Sequence, residues 1–160
     1  MSGTEDKREQ IEQKKQLYLQ RVNQLYTNVK GWLKDEKLIL VFADLEIIDA
    51  LGSYESSSLT VKSPTGKKLA EFQPKGTSVV LAEGLINVEG WLGIEYLAYM
   101  IDGGPCLTKM ASDAEDKWIK EPYYSAIIVD GWYWIDGTHK DSAHRIDKEL
   151  LLKLIFHVSE

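Results

Sequence analysis

Two imidazoles and two carboxylates fall within nine residues, Asp136-Gly137-Thr138-His139-Lys140-Asp141-Ser142-Ala143-His144. Ring nitrogens with carboxylate oxygens suit a borderline divalent cation, and a water on that cation would serve a hydrolase. His139, Asp141 and His144 are therefore the candidate ligands. Their setting speaks against them. Two-histidine sites place both rings on one helix face or anchor them to strands, whereas this stretch is rich in Gly, Ser and Thr. Lys140 also brings a positive charge among the ligands. A solvated loop is the plainer reading, and no metal or other cofactor is expected.

Other reactive groups form no recognisable device. Serines cluster at 56–58, but no Gly-x-Ser-x-Gly elbow is present. Gly84, Gly90, Gly93, Gly103 and Gly104 match neither dinucleotide nor phosphate-loop spacing, and the first three suit bends in a curved sheet. Cys106 is the one cysteine, so it has no disulfide partner within the chain, and with no base near it in sequence it reads as a buried, inert thiol. Glu83, Glu89 and Glu95 fall near strand ends, where glutamates usually face solvent.

The densest feature is aromatic. Trp118, Tyr123, Tyr124, Trp132, Tyr133 and Trp134 crowd into seventeen residues around Asp130-Gly131-Trp132-Tyr133-Trp134-Ile135-Asp136. On a strand, alternate side chains point to opposite faces, so each face carries a large ring. Packing of those rings in a core is one reading. The other is an exposed patch made by Asp130, Trp132, Tyr133, Trp134 and Asp136, which would anchor a protein partner.

Composition narrows the classes. The chain has 160 residues, a net charge of −6 and a pI near 5.2. An acidic chain opposes a phosphate backbone, so no nucleic-acid partner is expected. No 18-residue apolar run is present, the N-terminus lacks an apolar signal core, and no asparagine starts an N-x-[ST] site. These features predict no membrane association and a cytoplasmic location.

The elements that would position these residues follow from periodicity. Residues 4–35 predict one long helix, with Thr4 as its cap and Ile11, Tyr18, Val22, Leu25, Val29 and Trp32 on one face. Lys15 weakens the first half of that stripe. Residues 38–42 form an apolar run that suits a central strand, continuing towards Ile48 with a bend near Asp44. Gly52-Ser53-Tyr54-Glu55-Ser56-Ser57-Ser58 reads as a loop by composition. Residues 59–62 and 67–72 predict a hairpin closed by Ser63-Pro64-Thr65-Gly66. Pro74-Lys75-Gly76 reads as a turn, residues 77–82, 85–88 and 94–101 as strands, and 108–122 as a polar surface excursion. Residues 125–129 and 132–135 predict a final strand pair about Asp130-Gly131, or one bulged strand, and 136–145 a polar loop. Asp147 then caps a helix over 147–158 whose apolar face carries Leu150, Leu151, Leu154, Ile155 and Val158.

Strands in series with tight turns imply a meander. The expected fold is one α+β domain over 1–160: a curved antiparallel sheet, or partly open barrel, of about seven or eight short strands over 37–135, packed by the two terminal helices. The function these features favour is a small cytoplasmic, non-enzymatic protein-interaction module, immunity- or inhibitor-like or an accessory subunit, with a protein partner or a homo-oligomer. The alternative is a small-ligand-binding barrel with a pocket lined by Tyr96, Tyr99 and Trp132. A metal-dependent hydrolase comes last.

Overall fold

Good helix formers without a proline, and apolar residues recurring on one face, drive the first element. The structure, a computed structural model, describes residues 2–77, 82–101, 103–110, 118–125 and 127–159. Helix α1 spans Ser2–Leu33 and buries Tyr18, Val22, Leu25, Tyr26, Val29 and Leu33. Its buried stripe lies in the C-terminal half. The helix is already formed at Ser2, so Thr4 lies inside it rather than at its cap.

After α1 the chain reverses at Lys37, which takes a φ of 57°. The strands follow as β1 (Ile39–Asp49), β2 (Gly52–Lys62), β3 (Lys68–Gly76), β4 (Gly84–Glu89), β5 (Ile94–Met100), β6 (Cys106–Met110), β7 (Trp118–Pro122), β8 (Gly131–Ile135) and β9 (Ala143–Arg145). Helix α2 spans Lys148–Ser159. Among the described residues, seven strands form one antiparallel sheet in the order β1-β2-β3-β4-β5-β8-β9, and β6 pairs with β7 alone. The edges β1 and β9 are not paired with each other, so the sheet is open and the fold is α+β.

Both helices pack on one face. There α1 and α2 meet Leu59, Val61, Phe72, Ile86, Val88, Leu97, Trp132 and Trp134 in one buried cluster. Each such side chain contributes roughly 1.5–3 kcal/mol by leaving water. Asp147 caps α2 as expected: its Oδ1 accepts from Leu150 N at 2.8 Å. Leu151, Leu154, Ile155 and Val158 are buried on the predicted face. On the opposite face a smaller cluster gathers Ala98, Met100 and Tyr133 beneath Tyr124 and Ile127.

Several local expectations need correction, beginning with the thiol: Cys106, the first residue of β6, is exposed rather than buried. Residues 38–42 do not begin a central strand. β1 is an edge strand, running unbroken through Asp44, because a five-residue apolar run covers only one face here: Leu40 packs on the core while Ile39 and Val41 are exposed. The serine-rich 52–58 segment is strand β2, paired residue by residue with β1. Backbone pairing overrides the loop-like composition, as tertiary context often does in sheets. Pro74-Lys75-Gly76 ends β3 in a register shift, with Gly76 at a φ of 102°, rather than forming a separate turn. Residues 78–81 of the expected 77–82 strand lie outside the described residues. The 108–122 excursion is the β6–β7 hairpin, with 111–117 outside the described residues. Residues 125 and 127–129 form no strand, and 126 lies outside the described residues; β8 pairs instead with β5 and with β9, which occupies part of the expected 136–145 loop. The Ser63-Pro64-Thr65-Gly66 turn forms as predicted, with Gly66 N donating to Ser63 O at 2.9 Å and Gly66 at a φ of 90°.

Candidate functional site

Strand β8 places its aromatic residues in the core. Trp132 and Trp134 point to the helix face and Tyr133 to the other, and all three are buried. Each polar tip is engaged: Trp132 Nε1 donates to Arg21 O at 3.0 Å, Trp134 Nε1 to Glu95 Oε2 at 3.0 Å, and Tyr133 OH to Val129 O at 2.8 Å. The three rings are therefore not an exposed platform. A helix layer on one side and Tyr124 and Ile127 on the other cover both faces. Of the five residues expected to form a patch, only Asp130 and Asp136 are exposed.

Two of the candidate metal ligands take other partners. His144 Nε2 pairs with Asp136 Oδ2 at 2.8 Å, and Asp141 Oδ1 accepts from Ser125 Oγ. Among the described residues, no three His, Cys, Asp or Glu side chains gather in a way that could hold an ion. The third imidazole, His157, lies 3.2 Å from Glu95 and flanks the Trp134 ring. The expected pocket residues also separate. Tyr99 and Trp132 are direct neighbours on the helix face, whereas Tyr96 pairs with Asn87 on the opposite one.

A different feature emerges at the far edge. The β1–β2 hairpin pairs over its full length, but β2 meets β3 only from Leu59 to Lys62. Two-stranded ribbons twist more than wide sheets. Near its base the hairpin buries Leu59, opposite Phe42, and Val61, opposite Leu40, and the Tyr26 and Lys30 side chains of α1 lie against Phe42. Towards its tip the opposite set, Ile47 and Tyr54, turns inward against Tyr18. Asp44, Glu46 and Ile48 then face outward together with Glu55, and Ile48 is 78 % exposed.

Hydrogen bonds hold this tip. Tyr54 OH donates to Asp49 Oδ2 at 2.6 Å, Thr77 N donates to the same oxygen at 3.1 Å, and Leu51 N donates to Oδ1 at 2.8 Å. Burial raises the Asp49 pKa, but these bonds outweigh it and hold the carboxyl below the usual value. Burial, reinforced by the Asp49 charge, pushes the Tyr54 phenol well above its usual value.

The register brings Glu46 directly opposite Glu55. Like charges across an antiparallel pair are destabilising. Ser53 Oγ donates to Glu46 Oε1, but no cation pairs with either carboxylate among the described residues. Strand β1 contributes Asp44, Glu46 and Asp49 and no Lys or Arg. The arrangement is an unpaired edge with exposed apolar residues and an uncompensated acidic face. Chemically it can add a further strand and attract cations; it holds no nucleophile–base pair. The sequence alone hides it because the composition of 52–58 reads as a loop. A strand reading with a two-residue connection at Ala50-Leu51 fixes the register and puts Glu46 across from Glu55.

Comparison of the chain with protein-family models, with curated proteins and with solved structures finds no match. No helix among the described residues is long and apolar enough to cross a membrane.

Proposed function

We propose that the protein is a non-enzymatic interaction module that receives a basic, extended segment of a protein partner along the open β1 edge. The observation that carries this reading is the opposition of Glu46 and Glu55 on the hairpin face beside that edge. A strand added to β1 satisfies the edge amides and carbonyls, and lysines or arginines on its matching face relieve the repulsion. A second copy fits less well. Added antiparallel about Leu45, it sets Asp44 of each copy against Glu46 of the other, the kind of charge that keeps edges from self-pairing. Nucleic acid is disfavoured by the same acidic face. A cytoplasmic location belongs to this proposal, supported by the lone cysteine.

The test uses two labelled peptides, one alternating Thr with Lys and its twin alternating Thr with Glu, read by fluorescence anisotropy. The proposal predicts binding of the Lys peptide at least ten-fold tighter than its twin, weakening as salt rises and the Debye length falls from about 10 to about 3 Å. Equal affinity for the two peptides, or none for either, contradicts it.

A further inference from the structure

Two of the three arginines in the chain line a single groove. It lies between the C-terminal half of α1 and the β8–β9 end of the sheet, the opposite edge from β1, and encloses about 240 Å³. Arg21, Gln24 and Asn28 reach it from one face of α1, because their spacings of three and four residues stack them along that face. Tyr99 and Trp132 come from adjacent strands, where they are direct cross-strand neighbours, and Arg145 comes from β9.

Arg21 is held in place before any ligand arrives. Its guanidinium carbon lies 4.2 Å from the Tyr99 ring centroid, and its carbonyl accepts the Trp132 indole N–H at 3.0 Å. The Tyr99 and Trp132 rings meet edge to face, 5.4 Å apart, which fixes the platform. A guanidinium stacked on a ring keeps its N–H fork available, and that fork matches two oxygens of a carboxylate or phosphate. Neither Arg21 nor Arg145 forms an ion pair among the described residues, in a chain with 25 carboxylates. Asp130 also lines the groove, so among the described residues two cations stand there with one carboxylate. Gln24 donates to Asn28 at 3.2 Å, placing two amides beside the arginines. The volume falls below the roughly 300–1,000 Å³ of drug-sized pockets, which limits the occupant to a small acid or its acidic head.

We infer that this groove binds a small oxyanion, carboxylate or phosphate, clasped by Arg21 and Arg145 against the Tyr99–Trp132 platform. This site is separate from the β1 edge and does not depend on that reading.

The test is a heteronuclear NMR titration of the full chain, following the Trp132 indole N–H and the arginine Nε–H signals. Inorganic phosphate and benzoate are the probes, each added at constant ionic strength. The inference predicts a saturable shift of those signals with at least one probe. Phosphate alone assigns a phosphate ligand and benzoate alone a carboxylate. Arg145→Gln weakens that binding at least ten-fold, as does Arg21→Gln, whereas Glu55→Lys leaves it unchanged. Arg145 is exposed, so its variant decides the matter even if Arg21→Gln does not fold. Absence of a saturable shift with both probes overturns the inference, as does equal affinity in wild type and Arg145→Gln.

Discussion

A β-carbon placed on Gly84 would stand 2.7 Å from two ring carbons of Tyr18. The ring cannot slide aside. Its hydroxyl donates to Leu85 O at 2.7 Å and accepts from Gly76 N at 3.1 Å, and the side chain is fully buried. Tyr18 thereby ties the middle of α1 to the end of β3 and the start of β4. Gly84→Ala is expected to destabilise the protein by about 1–3 kcal/mol through overpacking. Urea unfolding measures this, and an unchanged midpoint would show that the helix is not seated on β4.

Asp49 makes the hairpin tip sensitive to acid. Its folded pKa is lowered, so the folded state prefers the carboxylate. The stabilisation is complete above the unfolded value, near 4, and fades as pH falls through the lower folded value. Asp49→Asn should therefore be less stable than wild type at neutral pH, with a gap that narrows as pH falls below about 5. Urea midpoints across that range decide it; a constant gap contradicts the bonding described.

Three of the five tryptophans occupy contrasting environments. Trp132 and Trp134 are buried in the main core, whereas Trp91 is 92 % exposed in the β4–β5 turn. Replacing either core tryptophan by alanine is expected to cost about 3–5 kcal/mol. Trp91→Ala should stay within about 0.5 kcal/mol. Chemical denaturation of the three variants checks this, and equal costs would contradict the placement of β8.

These residues also mark what the sequence could and could not reveal. Helical periodicity around Tyr18, Val22, Leu25 and Val29 was legible because a stripe needs only local spacing. So was the Ser63-Pro64-Thr65-Gly66 turn, whose proline and glycine act locally. The burial of Trp132 and Tyr133 on opposite faces was not, because it depends on which distant segments cover each side of β8. Ser56, Ser57 and Ser58 lean towards loop, and only pairing with β1 makes them strand. The acidic face follows from that register, so an error at the serines concealed Glu46 and Glu55 together. The groove residues Arg21 and Arg145 stand 124 positions apart, and no local pattern connects them.

Glu55→Lys separates stability from binding. It turns a like-charge pair with Glu46 into an opposite-charge pair, so it should raise stability by about 0.2–1 kcal/mol. The same change removes acidic charge beside the edge and should weaken the alternating Thr–Lys peptide several-fold. A variant that is both more stable and a weaker binder supports the account. One that binds as well as wild type detaches the acidic pair from recognition.

The most direct measurement is backbone amide hydrogen exchange of the full protein, with and without the alternating Thr–Lys peptide. The account predicts that amides of Ile39–Asp49 become protected while those of β9 do not change. Protection confined to other elements, or none at saturating peptide, would contradict the claim that the β1 edge is where a partner joins.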